Sequence, residues 1–497
     1  MTRAIRARAM MPVARHRSHV AVALALSAYV AGACAPSDPE PPTDGSQPVL
    51  FEGARLVVGD GSVIESGSFL VSDGRIAAVA PTGALSVPAG TASVDLSGKT
   101  VIPALVDAHA HIGYEGYTGW GADHYSRENV VDHLERYAYY GFGAVFSAGS
   151  DPDDLALEIQ AAQTRGEVGG ARFVVAAGMA PPGQGPNNQF LEHALAVAER
   201  TGMTILRGTA TPQEGRAAVR AVADKGIPFI KIWVDDRGGT QEKLTPQVYR
   251  AIIAEARTHG IDVVVHQQAA DDMPALLTAG VTGFLHGRLG PGLDAIMAVR
   301  IRGAGAFLVP NLGLGELRSE RIADDPWLRE ATSAEVVRRL GDAFDARQAA
   351  ASASGTGPAA ASAPSGTSAG AAMSDRERAL RTSFQHLLDA GVDIVLGTDA
   401  GAVPDHFFGY TGHRELEIFV RLGMTPAQAI VAATSRPAAR LGLDDIGTIA
   451  AGKSADFVIL DENPLEDIRN TRSISRVYMR GGEVDREALR RRFGGEG

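Results

Sequence analysis

From Val49 to Thr100 apolar and polar positions alternate in short runs, "VLFEGARLVVGDGS", "GSFLVSDGRIAAVA" and "SVDLSGKTVIP", each broken by Asp-Gly or Ser-Gly. Period-two alternation ended by such pairs predicts half-buried strands joined by tight turns. The same texture returns near the C-terminus in "GTIAAGKSADFVILDENP" and "SISRVYMRGGEV". Residues 49–100 and 441–485 are therefore expected to pair as one small composite β-sandwich. The final "REALRRRFGGEG" reads as a charged, solvated tail.

Between these ends, residues 101–440 alternate strand-like and helix-like stretches. Apolar runs of strand length fall at 102–109, 143–148, 172–178, 227–233, 261–266, 281–286, 306–311 and 392–398. Most are followed by an amphipathic stretch such as "TPQVYRAIIAEARTHG". Eight such units predict an α/β fold, a (β/α)8 TIM-type barrel with insertions. An open doubly wound sheet would call for a phosphate-binding glycine loop after the first strand, and the sequence has none. The long interval before the last strand contains an Ala/Ser/Gly/Pro run, 349–373, with no large apolar group to repay ordering. It is expected to be a surface insertion, either a spacer or a lid.

Composition narrows the function. The 497 residues carry 47 Lys+Arg against 58 Asp+Glu, a formal charge of −11. Five of the arginines lie in the first 33 residues, and without them 42 bases face 58 acids, −16. A surface that acidic repels phosphate backbones and argues against nucleic acid as a partner. The single Cys excludes a disulfide framework or a thiolate metal cluster. Residues 1–33 have a basic start, the short apolar run "HVAVALALSAYVAGA" and small residues before Cys34, the layout of a secretory signal. Cys34 directly after the small residues resembles a bacterial lipoprotein signal, and "AGA" also suits simple export. Residues 34–48 form a Pro-rich linker. The expectation is an exported protein, touching a membrane only through a lipid on Cys34.

The ends of the predicted strands carry the chemistry. His109 and His111 in "VDAHAHIG" are two apart, so they share one face of a strand, the interior of a barrel at its C-terminal mouth. Two imidazoles there make a compact metal chelate, although a bare H-x-H also arises by chance. Lys231 lies among Ile, Phe and Trp in "IPFIKIWVDD", costly to bury as a cation, unless it snorkels or is ion-paired. His266 ends "IDVVVH", His286 ends "VTGFLH" and Asp399 ends "VDIVLGTDA". Each alone fits a core histidine or a helix cap. Together they place four His, one Lys and one Asp at the ends of predicted strands one, four, five, six and eight. Imidazole and carboxylate donors without thiolates favour Zn2+ or a similar transition metal. The donors outnumber those one open catalytic ion needs, which suggests two divalent ions sharing a bridge.

The segments "GKTVIPALVDAHAH", "IKIWVDD", "VVVH", "FLHG" and "VLGTDAG", with the tail "GTIAAGKSADFVILDENPL", resemble in order the signatures of the amidohydrolase superfamily. The nearest branch is similar to the imidazolonepropionase-related hydrolases that include exported prolidase-like enzymes. The resemblance covers roughly residues 49–485. It implies that His109, His111 and Asp399 bind the more buried metal, that His266 and His286 bind the more exposed one, and that carboxylated Lys231 bridges them. It implies further a metal-bound hydroxide that attacks an amide-type C–N bond. Asp399 would act as general base and then acid. The implied substrate is a small molecule, a dipeptide or N-acyl amino acid. A cyclic amide, carbamate, ester or phosphotriester on the same site, or a non-catalytic exported metal-binding protein, stays open. So does homo-oligomer formation. Candidate substrate contacts are Tyr114, Tyr117, Trp120 and His124 after strand one, Arg288 after His286, and His406, Tyr410 and His413 after strand eight.

Overall fold

The computed structural model describes residues 47–287, 289–290, 292–314, 320–353, 375–404 and 406–495. The signal segment, Cys34, Arg288 and residues 354–373 of the insertion lie outside the described residues. Residues 349–353 continue the helix Ala334–Ala353.

The N-terminal strands are β1 (Val49–Val57), β2 (Val63–Ser72), β3 (Arg75–Pro81), β4 (Ala92–Asp95) and β5 (Thr100–Pro103). The barrel strands follow as β6 (Leu105–Ala110), β7 (Phe142–Ala148), β8 (Arg172–Ala180), β9 (Leu206–Gly208), β10 (Phe229–Val234), β11 (Asp262–Gln267), β12 (Gly283–Leu285), β13 (Phe307–Val309) and β14 (Asp393–Ile394). The chain returns to the small sheet with β15 (Phe457–Leu460), β16 (Ile474–Met479) and β17 (Gly482–Glu483).

The small sheet runs β17-β16-β15-β5-β1-β2-β3, with β4 also on β1. It forks at β1, whose first half pairs with β4 and whose second half pairs with β5. Inside the fork Phe51 stacks on Phe69, and Phe457 on Tyr478. The expected strand at 102–109 is two strands. β5 belongs to the small sheet, and Ala104, whose amide donates to Asp456 O, hands the chain over to β6 in the barrel. A continuous apolar run conceals such a change because both strands are buried.

The second sheet has the order β14-β13-β12-β11-β10-β8-β7-β6, with β9 attached to β8, and its ladders are parallel. Its two edges meet. Ala108 N donates to Leu396 O, His111 N donates to Ala400 O, and Asp399 N donates to His109 O at 2.7 Å. The (β/α)8 barrel closes there. β11 reads DVVVHQ, the β-branched run of a strand covered on both faces. The helix Pro246–Thr258 that precedes it starts on Pro and turns Val248, Tyr249, Ile252, Ile253 and Ala256 inward. Among the described residues no helix is long and apolar enough to cross a membrane. The C-terminal segment is not a solvated tail. Arg486–Gly494 is a helix, and its Phe493 is buried under the Arg136 guanidinium.

Candidate metal centre

His109 stands near the end of β6 (Leu105–Ala110) and His111 just past it, and the pairing of β6 with β7 slips register between Asp107 and Ala110. Asp107 is fully buried and acts as a staple. Its Oδ1 accepts from His109 N and Thr398 N at 3.1 and 3.0 Å, and its Oδ2 accepts from Tyr137 OH and Thr398 Oγ1 at 2.8 and 2.6 Å. The two histidines are thereby fixed in register with Asp399.

The six predicted residues meet at one mouth of the barrel. His109, His286 and Asp399 offer donor atoms within 4.8 Å of one another. Asp399 Oδ1 lies 3.2 Å from His111 Nε2 and 3.5 Å from His109 Nε2. Lys231 is wholly buried, with Nζ 3.3 Å from His109 Nε2 and over the Trp233 ring. The His266 ring packs on that of His286 at 4.5 Å, and the His286 ring on that of His109 at 4.8 Å. Gly149 leaves the room Lys231 needs, since a Cβ there would stand 2.9 Å from the lysine Cβ.

Supporting side chains orient the donors. His109 Nδ1 meets Asn311 Oδ1 at 2.9 Å, so Nδ1 carries the proton and Nε2 keeps its lone pair toward the cluster. His111 Nδ1 pairs with Ser150 Oγ at 2.8 Å. His266 Nε2 donates to Asp235 Oδ2 at 2.9 Å, which leaves its lone pair at Nδ1. Asn311, Ser150 and Asp235 were not singled out from the sequence. Their signal is positional, a polar residue at or just past the end of a barrel strand. Of the six non-glycine residues with positive φ among those described, four stand here: Arg237, His286, Asn311 and Asp399. Left-handed backbone at a non-glycine residue is strained, and such strain concentrates at functional sites.

The electrostatics fit a divalent cation. Burial, reinforced by the charge of Lys231, holds His109 well below the ordinary imidazole value, and burial lowers His111 and His266 and brings His286 down to about 4. All four imidazoles are neutral donors at pH 7. Burial also brings Lys231 down to about 7. Burial alone would raise Asp399, but His286, His109 and His111 outweigh it and hold the carboxyl well below its usual range. Asp399 Oδ1 is buried and makes no hydrogen bond. A buried anionic oxygen without a hydrogen bond, with the ring nitrogens of His111 and His109 at 3.2 and 3.5 Å, calls for a cation.

The other candidate residues separate. Trp120 stays near the centre, donating from Nε1 to Gly401 O at 2.8 Å. His406 Nδ1 pairs with Asp399 O at 3.1 Å. Tyr114 is buried and donates to Ser150 O, so it supports His111 through the backbone and does not line an opening. Tyr117 donates to Asp132, and Tyr410 to Asp325. His413 is a core residue, not a substrate contact, for Thr471 Oγ1 and Tyr140 O occupy its two ring nitrogens. His124 sits on a short turn, Ala122–His124. A cavity of about 290 Å³ is walled by Val403, Pro404 and His406, by Leu340, Phe344 and Arg347 of the helix Ala334–Ala353, and by Gln189, Leu314, Glu320 and Ile322; none of the six donors lines it, and His406 connects it to the Asp399 backbone.

A closed (β/α)8 barrel with this donor set at its mouth has the architecture of a hydrolase. The model of the amidohydrolase family matches residues 100–484, and the chain belongs to that family. Imidazolonepropionase of Streptomyces griseus subsp. griseus is 26% identical over 431 residues, 84% of this chain and 90% of its own. Ochratoxinase of Aspergillus niger is 36% identical over 108 residues, 20% of this chain and 21% of its own. Among solved structures, a Bifidobacterium longum protein assigned provisionally as a prolidase superposes with a TM-score of 0.64 at 25% identity, covering 89% of this chain and 98% of its own. The chain is a hydrolase acting on carbon–nitrogen bonds.

Proposed function

We propose that the chain is an exported, zinc-dependent amidohydrolase that cleaves the amide bond of a dipeptide or N-acyl amino acid. The observation that carries this reading is the cluster of His109, His286 and Asp399, with His111 3.2 Å from Asp399 Oδ1, Lys231 3.3 Å from His109 Nε2 and the His266 ring 4.5 Å from that of His286. His109, His111 and Asp399 would hold one ion and His266 and His286 a second, with carboxylated Lys231 between them. Burial supports that modification, because an amine brought down to about 7 is largely neutral at physiological pH and its nitrogen can add CO2. Bound divalent ions would supply acidified water and a polarised carbonyl.

The chain's own residues do the rest. Asp399, held anionic beside the imidazoles, takes the proton of the attacking water on a carboxylate oxygen and delivers it to the leaving nitrogen. Asp107 and Thr398 keep that carboxylate in register with β6. The cavity walled by Leu340, Phe344, Val403 and Pro404 receives an apolar acyl or side-chain group. The prolidase-like neighbour supports the dipeptide substrate. The imidazolonepropionase relatives favour a second reading, a cyclic amide.

Zinc-loaded protein offered dipeptides, N-acyl amino acids and lactams separates the two by which class releases product. Asp399→Asn should keep much of the metal and lose more than about 100-fold in turnover. Near-wild-type hydrolysis by that variant refutes the assignment.

A further inference from the structure

The loop after β10 carries a cation that the metal cluster does not use. Arg237 lies just past the strand in "DDRGG", with φ of 52°. Asp235 Oδ1 accepts from Arg237 N at 3.1 Å and sets this left-handed turn. An arginine has no intrinsic preference for such backbone. The side chain is only 16% exposed.

Its guanidinium joins the centre from the side. One terminal nitrogen, Nη1, sits 3.0 Å from Asp235 Oδ2, the same oxygen that accepts from His266 Nε2. The other, Nη2, reaches Gly185 O of the loop after β8 at 3.5 Å, at the limit of a hydrogen bond. Nε is buried and has no partner. Arg237 is thus one shared carboxylate away from His266.

A guanidinium offers five donors in a fixed fork, and the edge formed by Nε and one Nη matches a carboxylate in bidentate fashion. Here that edge is underused and desolvated, beside a centre whose proposed reaction has a substrate with a free carboxylate. The chain as a whole carries −11, so an anionic substrate needs a local cation. We infer that Arg237 receives the substrate's carboxylate at the rim of the metal centre and so selects amides of amino acids over neutral amides. This rests on the amide-hydrolase reading given above and adds the residue that sets its substrate class.

The test is calorimetric titration of zinc-loaded protein with hydrocinnamate and benzylacetone, an acid and a ketone of similar shape that water does not cleave. Wild type should bind the acid at least about tenfold more tightly, the scale of a charge-assisted pair. Arg237→Met should erase that preference while zinc content and ketone binding stay unchanged, and Arg237→Lys should restore part of it. Three results overturn the inference: no acid preference in wild type, including no binding of either ligand; a preference that survives in Arg237→Met; or loss of zinc together with both ligands, which would make Arg237 only a brace for Asp235 and His266. Hydrolysis of charged and neutral amides, measured in parallel on wild type, judges the amide-hydrolase reading separately.

Discussion

Gly401 offers a sharp perturbation of the centre from outside its donor set. It follows Asp399 by two residues at φ of 85°, and a Cβ there would stand 1.9 Å from His111 O and 3.0 Å from Phe408 Cζ. Real Cβ contacts do not fall under 3.0 Å, so in Gly401→Ala the His111 carbonyl and the Asp399 loop must separate by roughly 1.1 Å, the difference of those two distances. The left-handed backbone adds about 1–2 kcal/mol of strain. The hydrogen bond from His111 N to Ala400 O and the 3.2 Å approach of His111 Nε2 to Asp399 both cross that gap. A misplacement of about 1 Å at a reacting centre costs on the order of 100-fold in rate. Zinc affinity, read by competition with a chromogenic chelator, should fall with it, while circular dichroism retains the barrel. Gly401→Ala with wild-type zinc affinity and a wild-type melting curve would refute the claim that this loop fixes His111 against Asp399.

His413→Gln tests the reassignment of His413 to the core. Burial brings its pKa down to about 3, so its contribution to stability is fully present above the ordinary imidazole value near 6.5 and is lost as pH falls toward the folded value. The melting-temperature gap between wild type and variant should be widest above pH 6.5 and close in acid, with zinc content equal. A gap that widens in acid contradicts the assignment. Cys34→Ala should move the protein from the membrane fraction to the soluble exported fraction. Unchanged partitioning would leave export without a lipid anchor.

The barrel was legible because its strands are buried on both faces and read as apolar runs, and because its helices begin on clear signals such as Pro246. The six donors were legible for a related reason. A polar residue that closes an apolar run has few inexpensive explanations, and each of the six closes or interrupts one. What stayed hidden depended on side-chain direction. Tyr114, Tyr117 and His413 lie on loops or helix starts where a ring that binds and a ring that packs look alike. Asn311, Ser150 and Asp235 are common polar residues whose role appears only once β13, β7 and β10 place them beside an imidazole. The division of 102–109 into β5 and β6 was invisible because the small sheet and the barrel both bury their strands there. Phe493, among the charged residues of the last helix, gave too brief an apolar signal to reveal its docking.

Lys231, buried 3.3 Å from His109 Nε2, is proposed to hold, once carboxylated, a second ion beside the first. Zinc per chain, measured by elemental analysis after reconstitution with Zn2+ and bicarbonate and exhaustive dialysis, tests it directly for wild type and Lys231→Ala. Wild type should hold close to two ions and the variant one or fewer. Equal stoichiometry in the two proteins, or a wild type that retains no zinc, would contradict it.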